Sequence, residues 1–478
     1  MRCARAVLLS CLLALCFAAS AWADITALAG QPEQGAASPS GLSSDQAAVS
    51  VTSTPVSPST GQAAAQAVPA PGMPDFPITN RYKATVYGTP PAYRHKIPAE
   101  ALAARAETRS ITIEGRRVPE LFWYTEAIEY SALLQDKKAP LIFIIAGTGA
   151  RFNSSKVQFL QRLFYSAGYH AVGVSSPTHF NSIVSLSRHG LAGYVPYDVD
   201  DLRTLLGWIK TEVEAKAKVT GYSITGYSLG ALHAAFLAER DSREKFFNFQ
   251  KVLLINPPVD LYNSALTFDS WLKETDARTG GPEQAVNKFI ENFSEFYQTN
   301  HIGKLDSDIL YRFFRSLDVN DTELKQLIGV GFRITSASMV FTSDTCLDAG
   351  YLKPAGTKIA TNEPLLPYFI AASRISFENY VDEFLLPYVQ YREPGMTKER
   401  LLGACTLLRL EGYLRSAPNV LLIGNEDDPI LNGAEVAFLK QTFGARATLF
   451  SRGGHCGNLQ YTGFAAEMLR MMAVEDAR

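Results

Sequence analysis

Little in this sequence points to a metal, a nucleotide or a nucleic acid. Its 478 residues contain no H-E-x-x-H, no paired C-x-x-C and no EF-hand loop, so no metal is expected. Charge of one sign is missing too: 45 Lys and Arg stand against 47 Asp and Glu, which gives no general basic field for nucleic acid and no acidic tail. Gly147-Thr148-Gly149 could open a dinucleotide loop, but the third glycine of that fingerprint would fall at Phe152, and Lys156 is badly spaced for a P-loop. No cofactor is therefore expected. Only one apolar run looks like a membrane signal and it sits at the extreme N-terminus, which excludes a multi-span membrane protein. No internal repeat is found. What remains is an ordinary globular mixture, 47% hydrophobic and 19% charged, long enough for a sizeable core.

The N-terminal run reads as an export signal. Arg2 and Arg5 give a positive start, residues 6–19 carry no charge, and Ala21-Trp22-Ala23 has the small-x-small form of a cleavage site. The run is short for a membrane anchor. Lipidation fits less well, because the apolar stretch before Cys11 is too short and Leu15 precedes Cys16, where a small residue is usual. The expected location is periplasmic or secreted. Cys3, Cys11 and Cys16 leave with the signal. Of the remaining Cys346, Cys405 and Cys456, an oxidising compartment permits a Cys346–Cys405 disulfide, with three reduced core thiols as the equal alternative.

Residues 24–78 are read as a flexible linker, since 31–77 are Ala, Ser, Pro, Gln and Gly with almost no aromatics. Beyond it strands and helices alternate. Strands are expected at 110–113, 121–124, 140–146, 170–174, 221–226 and 251–255, and helices at 197–216 and 231–240. Asp198, Asp200 and Asp201 suit the first turn of the 197–216 helix. Alternation then stops. Residues 260–416 are rich in aromatics and read mostly helical, at 285–297, 306–317, 368–386 and 396–413. Strands resume at 419–423 and 447–450, with helices at 433–443 and 463–474. Two late strands are too few for a sheet of their own, so they join the earlier sheet and the helical stretch becomes an insertion.

The strand at 221–226 leads into Gly226-Tyr227-Ser228-Leu229-Gly230, and an Ala-rich helix leaves it. The G-x-S-x-G pattern alone is moderate evidence, with about 0.15 chance matches expected in such a chain. Its strand–turn–helix setting is the nucleophile elbow, with glycines two residues either side of the serine where side chains would clash. Here the chain resembles the α/β-hydrolase superfamily, over roughly residues 110–258 and 416–478. The resemblance implies an α/β fold with a mostly parallel sheet. Residues 79–258 and 417–478 would form the core, and 259–416 a helical cap inserted before the last strands.

The family order of serine, acid and histidine implies roles by position. Ser228 would be the nucleophile. His455, in the glycine-rich turn Gly453-Gly454-His455-Cys456-Gly457 after the last expected strand, would be the base. His233 reads as packing and His301 lies in the cap. The acid would be Asp428, with Asp427, Glu426 and Asp260 as weaker candidates. The oxyanion hole would use the amides of Leu229 and Thr148, with Gly149 second to Thr148. Many members have His-Gly where this chain has Ala146-Gly147, a mild departure because backbone amides do the work. His179 reads as a loop residue rather than part of the pocket mouth. Phe313, Phe314, Tyr368, Phe369 and Tyr388 could form an acyl-binding wall, but packing between cap helices is preferred.

The expected function is an exported serine hydrolase of the carboxylesterase or lipase type (EC 3.1.1), acting through an acyl-enzyme on an ester, thioester or amide. Acyltransferase and peptidase readings share the same triad, and a non-catalytic binding protein on the same scaffold is the rival from another class. The partner would be a small-molecule or lipid-like acyl substrate. Peripheral membrane contact through the cap is left open, and no obligate protein partner is inferred.

Overall fold

The computed structural model describes residues 75–274 and 307–474. The residues read as an export signal, nearly all of those read as a linker, the helix expected at 285–297 and His301 lie outside the described residues. Asn80 opens α1 (Arg81–Tyr87) by accepting the amide hydrogens of Tyr82 and Lys83. Strands β1 (Glu107–Thr112), β2 (Ala127–Leu133) and β3 (Ala139–Ile145) follow. Alternation then runs through α2 (Ser155–Ser166), β4 (His170–Val174), α3 (Phe180–Ser185), α4 (Val195–Glu214), β5 (Val219–Tyr227), α5 (Leu229–Glu244) and β6 (Lys251–Ile255). Next come the helices α6 (Leu261–Lys273), α7 (Ser307–Ser316), α8 (Asp321–Leu347), α9 (Leu366–Ser373), α10 (Leu386–Arg392), α11 (Lys398–Gly403) and α12 (Glu411–Ser416). The chain closes with β7 (Val420–Asn425), α13 (Gly433–Phe443), β8 (Ala447–Phe450) and α14 (Thr462–Met471).

The eight strands make one sheet in the order β1-β2-β4-β3-β5-β6-β7-β8. β2 runs antiparallel to β1 and β4, and every other pairing is parallel. β7 pairs with β6 across the helical segment, Ile423 against Ile255. The C-terminal ends of β3, β5, β6, β7 and β8 therefore share one edge, where ligands meet such sheets. Helices cover both faces, so the strands read as continuous apolar runs. In β3, Leu141, Phe143 and Ile145 join the cluster with Leu202, Leu205 and Leu206 of α4, while Ile142 and Ile144 join that of Val157 on α2 and Phe464 on α14. Each fully buried aliphatic side chain there contributes about 1.5–3 kcal/mol.

Several elements differ from the sequence expectation. Residues 121–124 are not a strand: Glu120–Phe122 is a tight 3-10 turn after Pro119, and Leu121 and Phe122 are both buried, which the alternation of a half-buried strand does not allow. The second strand is β2, paired Ile111 to Ile128. The helix expected at 396–413 is broken between α11 and α12, where Leu407 donates its amide hydrogen to the Val259 carbonyl and Asp260 bridges Thr406. The one expected at 368–386 stops after α9 and restarts at Phe377, whose amide donates to Asp269. The 27-residue α8 lies inside the stretch read as mostly helical, although no individual helix is expected at its position. Its signal was present as the Asn320/Glu323 capping box, but Gly329 and Gly331 disguise the interior. Gly329 is needed there, because a Cβ would sit 2.9 Å from Leu272 Cγ on α6. Cys346, Cys405 and Cys456 are free thiols, so the Cys346–Cys405 disulfide is not formed. Cys346, in the last turn of α8, lies beside Gly190, whereas the Cys405 sulfur faces the Gly193 carbonyl, and burial pushes both thiols up to about 12. Among the described residues no helix is long and apolar enough to cross a membrane.

Candidate active site

β5 delivers Ser228 at its C-terminal end with φ 54 and ψ −128, a conformation that non-glycine residues hold only under compulsion. The compulsion is local. A Cβ on Gly226 would lie 2.2 Å from the Gly230 carbonyl oxygen, and one on Gly230 2.3 Å from that of Ile145. The Ser228 amide donates to the Ile255 carbonyl at 2.9 Å, tying the turn to β6. α5 starts at once, so the hydroxyl stands at a helix N-terminus.

The loops after β7 and β8 bring Asp428 and His455 to this hydroxyl. His455 Nε2 lies 2.8 Å from Ser228 Oγ, and His455 Nδ1 lies 2.9 Å from Asp428 Oδ2. A carboxylate accepts, so Nδ1 carries the proton and Nε2 offers its lone pair to the serine hydroxyl. Asp428 is fixed by two further donors, Asn256 Nδ2 at 3.0 Å and the Ile430 amide at 3.2 Å. All three side chains are buried, with Asp428 only 1% exposed.

The other carboxylates are engaged elsewhere. Asp427 accepts the amides of Gly453 and Gly454 at 3.2 and 2.9 Å, so it shapes the histidine loop; its burial pushes the carboxyl up. Glu426 pairs with Lys440 at the surface, and Asp260 caps α6 through the Asn263 amide. The oxyanion candidates sort in the same way. Gly149 donates its amide hydrogen to Thr178 Oγ1 at 2.8 Å, while Thr148 and Leu229 line the cavity beside Ser228. Gly147 is needed because a Cβ there would come 2.7 Å from the Tyr227 ring.

Sheet order, elbow and the meeting of these three side chains converge. The chain has the α/β-hydrolase fold. No family model matches this chain, and no curated protein sequence does. Solved structures similar to it include a thermostable esterase from Pseudomonas putida, 13% identical, with a TM-score of 0.38 over 78% of this chain and 83% of that one. Another is Est1E from Butyrivibrio proteoclasticus, 14% identical, with a TM-score of 0.34 over 77% and 99%. A third is a membrane phospholipase A described as a bacterial virulence factor, 15% identical, with a TM-score of 0.38 over 78% and 87%.

The cavity above Ser228 has a volume of about 100 Å³. Its walls are apolar and come mainly from the helical segment between β6 and β7: Phe268, Phe332, Met339, Tyr380 and Leu401, with Ile430 from the acid's loop. The five aromatics weighed as an acyl wall are not among them. Phe313 and Phe314 pack with Tyr82 and Trp271, Tyr368 and Phe369 with Phe341, and Tyr388 lies against His189. His233 is fully buried on α5, 3.4 Å from Asp198. His179 caps α3 through the Asn181 amide and does not line the cavity; burial, with Arg151 nearby, pushes its imidazole down to about 3. Among the described residues no three His, Cys, Asp or Glu side chains group as metal ligands would.

Sequence reasoning missed Thr85, 370 residues from the loop it holds. Its hydroxyl accepts the His455 amide hydrogen at 2.9 Å and donates to the Arg81 carbonyl at 2.8 Å. The surrounding glycines were the available signal. A Cβ on Gly454 would lie 2.3 Å from the Arg81 carbonyl oxygen, and one on Gly457 2.0 Å from that of Ala84, so α1 lies directly against the loop. Thr85→Val removes one hydrogen bond of about 1 kcal/mol from the loop. If the triad works as proposed below, kcat should fall about tenfold with KM little changed, and Thr85→Ser should restore it. A lower melting temperature with unaltered kcat would instead mark Thr85 as purely structural.

Proposed function

We propose that this chain is an exported serine hydrolase that cleaves short-chain carboxylic esters through an acyl-enzyme on Ser228. The observation that carries the reading is the unbroken Ser228–His455–Asp428 hydrogen-bond line at the floor of an apolar cavity. His455 Nε2 takes the serine proton as Oγ bonds to the ester carbonyl carbon. The amides of Thr148 and Leu229 hold the resulting oxyanion. Collapse of the tetrahedral adduct breaks the bond to the alcohol, which leaves with the proton from His455. Water, losing its proton to the same nitrogen, then attacks the acyl carbon; the acyl–Oγ bond breaks, the acid leaves, and His455 returns the proton to Ser228 Oγ. Asp428 holds the ring through Nδ1 and stabilises the imidazolium. Export rests on the N-terminal signal pattern.

Substrate size follows from the cavity. Drug-sized ligands occupy pockets of about 300–1,000 Å³, and about 100 Å³ is much less. Across p-nitrophenyl esters, kcat/KM should be highest for acetate to hexanoate and fall at least about tenfold by laurate. Highest turnover on palmitate would refute the short-chain assignment, and no turnover of any ester would refute the hydrolase reading.

A further inference from the structure

A second cavity, of about 980 Å³, shares no lining residue with the one above Ser228. It is formed by the loop after β1, the turn between α3 and α4, and the end of α8 with the loop that follows it. Its chemistry is opposite to that of the ester cavity. Five cationic side chains line it, Arg116, Arg117, Arg188, Lys353 and Lys358, against two acidic ones, Glu120 and Asp348, a formal excess of three positive charges.

Three of the cations are held by the protein itself. Arg116 donates to the carbonyls of Ile183, Val184 and Ser187 at the C-terminal end of α3; Lys353 pairs with Asp348; Arg188 pairs with Asp201. These bonds fix their positions and preorganise the wall. Arg117 and Lys358 are exposed and make no ion pair among the described residues. Gly115 and Gly356, each with positive φ and open space at the Cβ position, keep the rim clear beside them. Like charges gathered around one concave surface repel each other and concentrate anions there. Guanidinium groups favour the planar, bidentate acceptors of phosphate and carboxylate.

We propose that this cavity is a binding site for a hydrophilic ligand bearing two or more phosphate charges, separate from the ester cavity. With Asp201 counted against Arg188, an excess of two positive charges remains, which matches a pyrophosphate-type anion better than a single carboxylate. Trp123 is 50% exposed and lies two residues beyond Leu121 of the same wall, so the phosphate could also reside in a lipid headgroup. The site's occupancy does not depend on the triad.

The test is calorimetric titration of the full chain with sodium pyrophosphate at about 20 mM salt, where screening is weak, beside co-sedimentation with cardiolipin, whose headgroup carries two phosphates, and phosphatidylcholine vesicles. Saturable binding of one pyrophosphate per chain is expected, weakened at least tenfold in the Arg117→Gln/Lys358→Gln double variant at unchanged melting temperature. Sedimentation with cardiolipin but not phosphatidylcholine vesicles, competed by pyrophosphate, assigns the site to headgroups; its absence alongside pyrophosphate binding assigns it to free phosphates. No saturable binding of either probe, or equal pyrophosphate affinity in the double variant, overturns the proposal.

Discussion

Ser228→Ala is expected to lower kcat for p-nitrophenyl butyrate by about 10⁴-fold or more, with little change in melting temperature. Removing a triad nucleophile leaves only the contribution of binding and oxyanion stabilisation. Four decades correspond to about 5.5 kcal/mol of barrier. The fold should tolerate the change, because alanine loses one oxygen whose partner is His455 Nε2 while the backbone at φ 54 stays held by the hydrogen bond that the Ser228 amide donates to the Ile255 carbonyl. A large loss in kcat with an intact melt separates chemistry from folding. Undiminished turnover would remove Ser228 from the reaction.

The second large effect is expected at Asp428. Asp428→Asn should lower kcat by about 10⁴-fold at neutral pH, because an amide can present a donor to His455 Nδ1 and favour the wrong tautomer. The neighbour is the control. Asp427→Asn keeps one acceptor for the Gly453 and Gly454 amides and does not touch the imidazole, so a loss of only about tenfold is expected. Kinetics of the two variants side by side decide the assignment of the acid. A reversed ranking would show that the 2.9 Å contact between Asp428 and His455 is not the working one.

Elements that carry their own signal were legible in the sequence. β6, β8 and α13 lie at the expected residues: strands covered on both faces read as apolar runs, and in the structure Asn432 with Glu435 forms the capping box that starts α13. The elbow was legible for a related reason: the backbone approach at Gly226 and Gly230 excludes any side chain. What depends on a distant partner left no local trace. Thr85 is one threonine in a short helix until the histidine loop folds against it. Leu121 and Phe122 looked like strand residues because their burial is set by Val184, Phe341 and Ile359, far away in the chain. The choice among Glu426, Asp427 and Asp428 is likewise one of direction, since three adjacent carboxylates on one loop point to a lysine, a loop backbone and an imidazole respectively.

The most direct measurement is the site of reaction with a fluorophosphonate, located by peptide mass mapping on the wild-type chain and on Ser228→Ala. A hydroxyl activated by His455 should take up one phosphonyl group per chain, carried on the peptide containing Ser228 and absent from the alanine variant. No adduct on the wild-type chain, or the same adduct on the variant, would contradict an activated serine at this position.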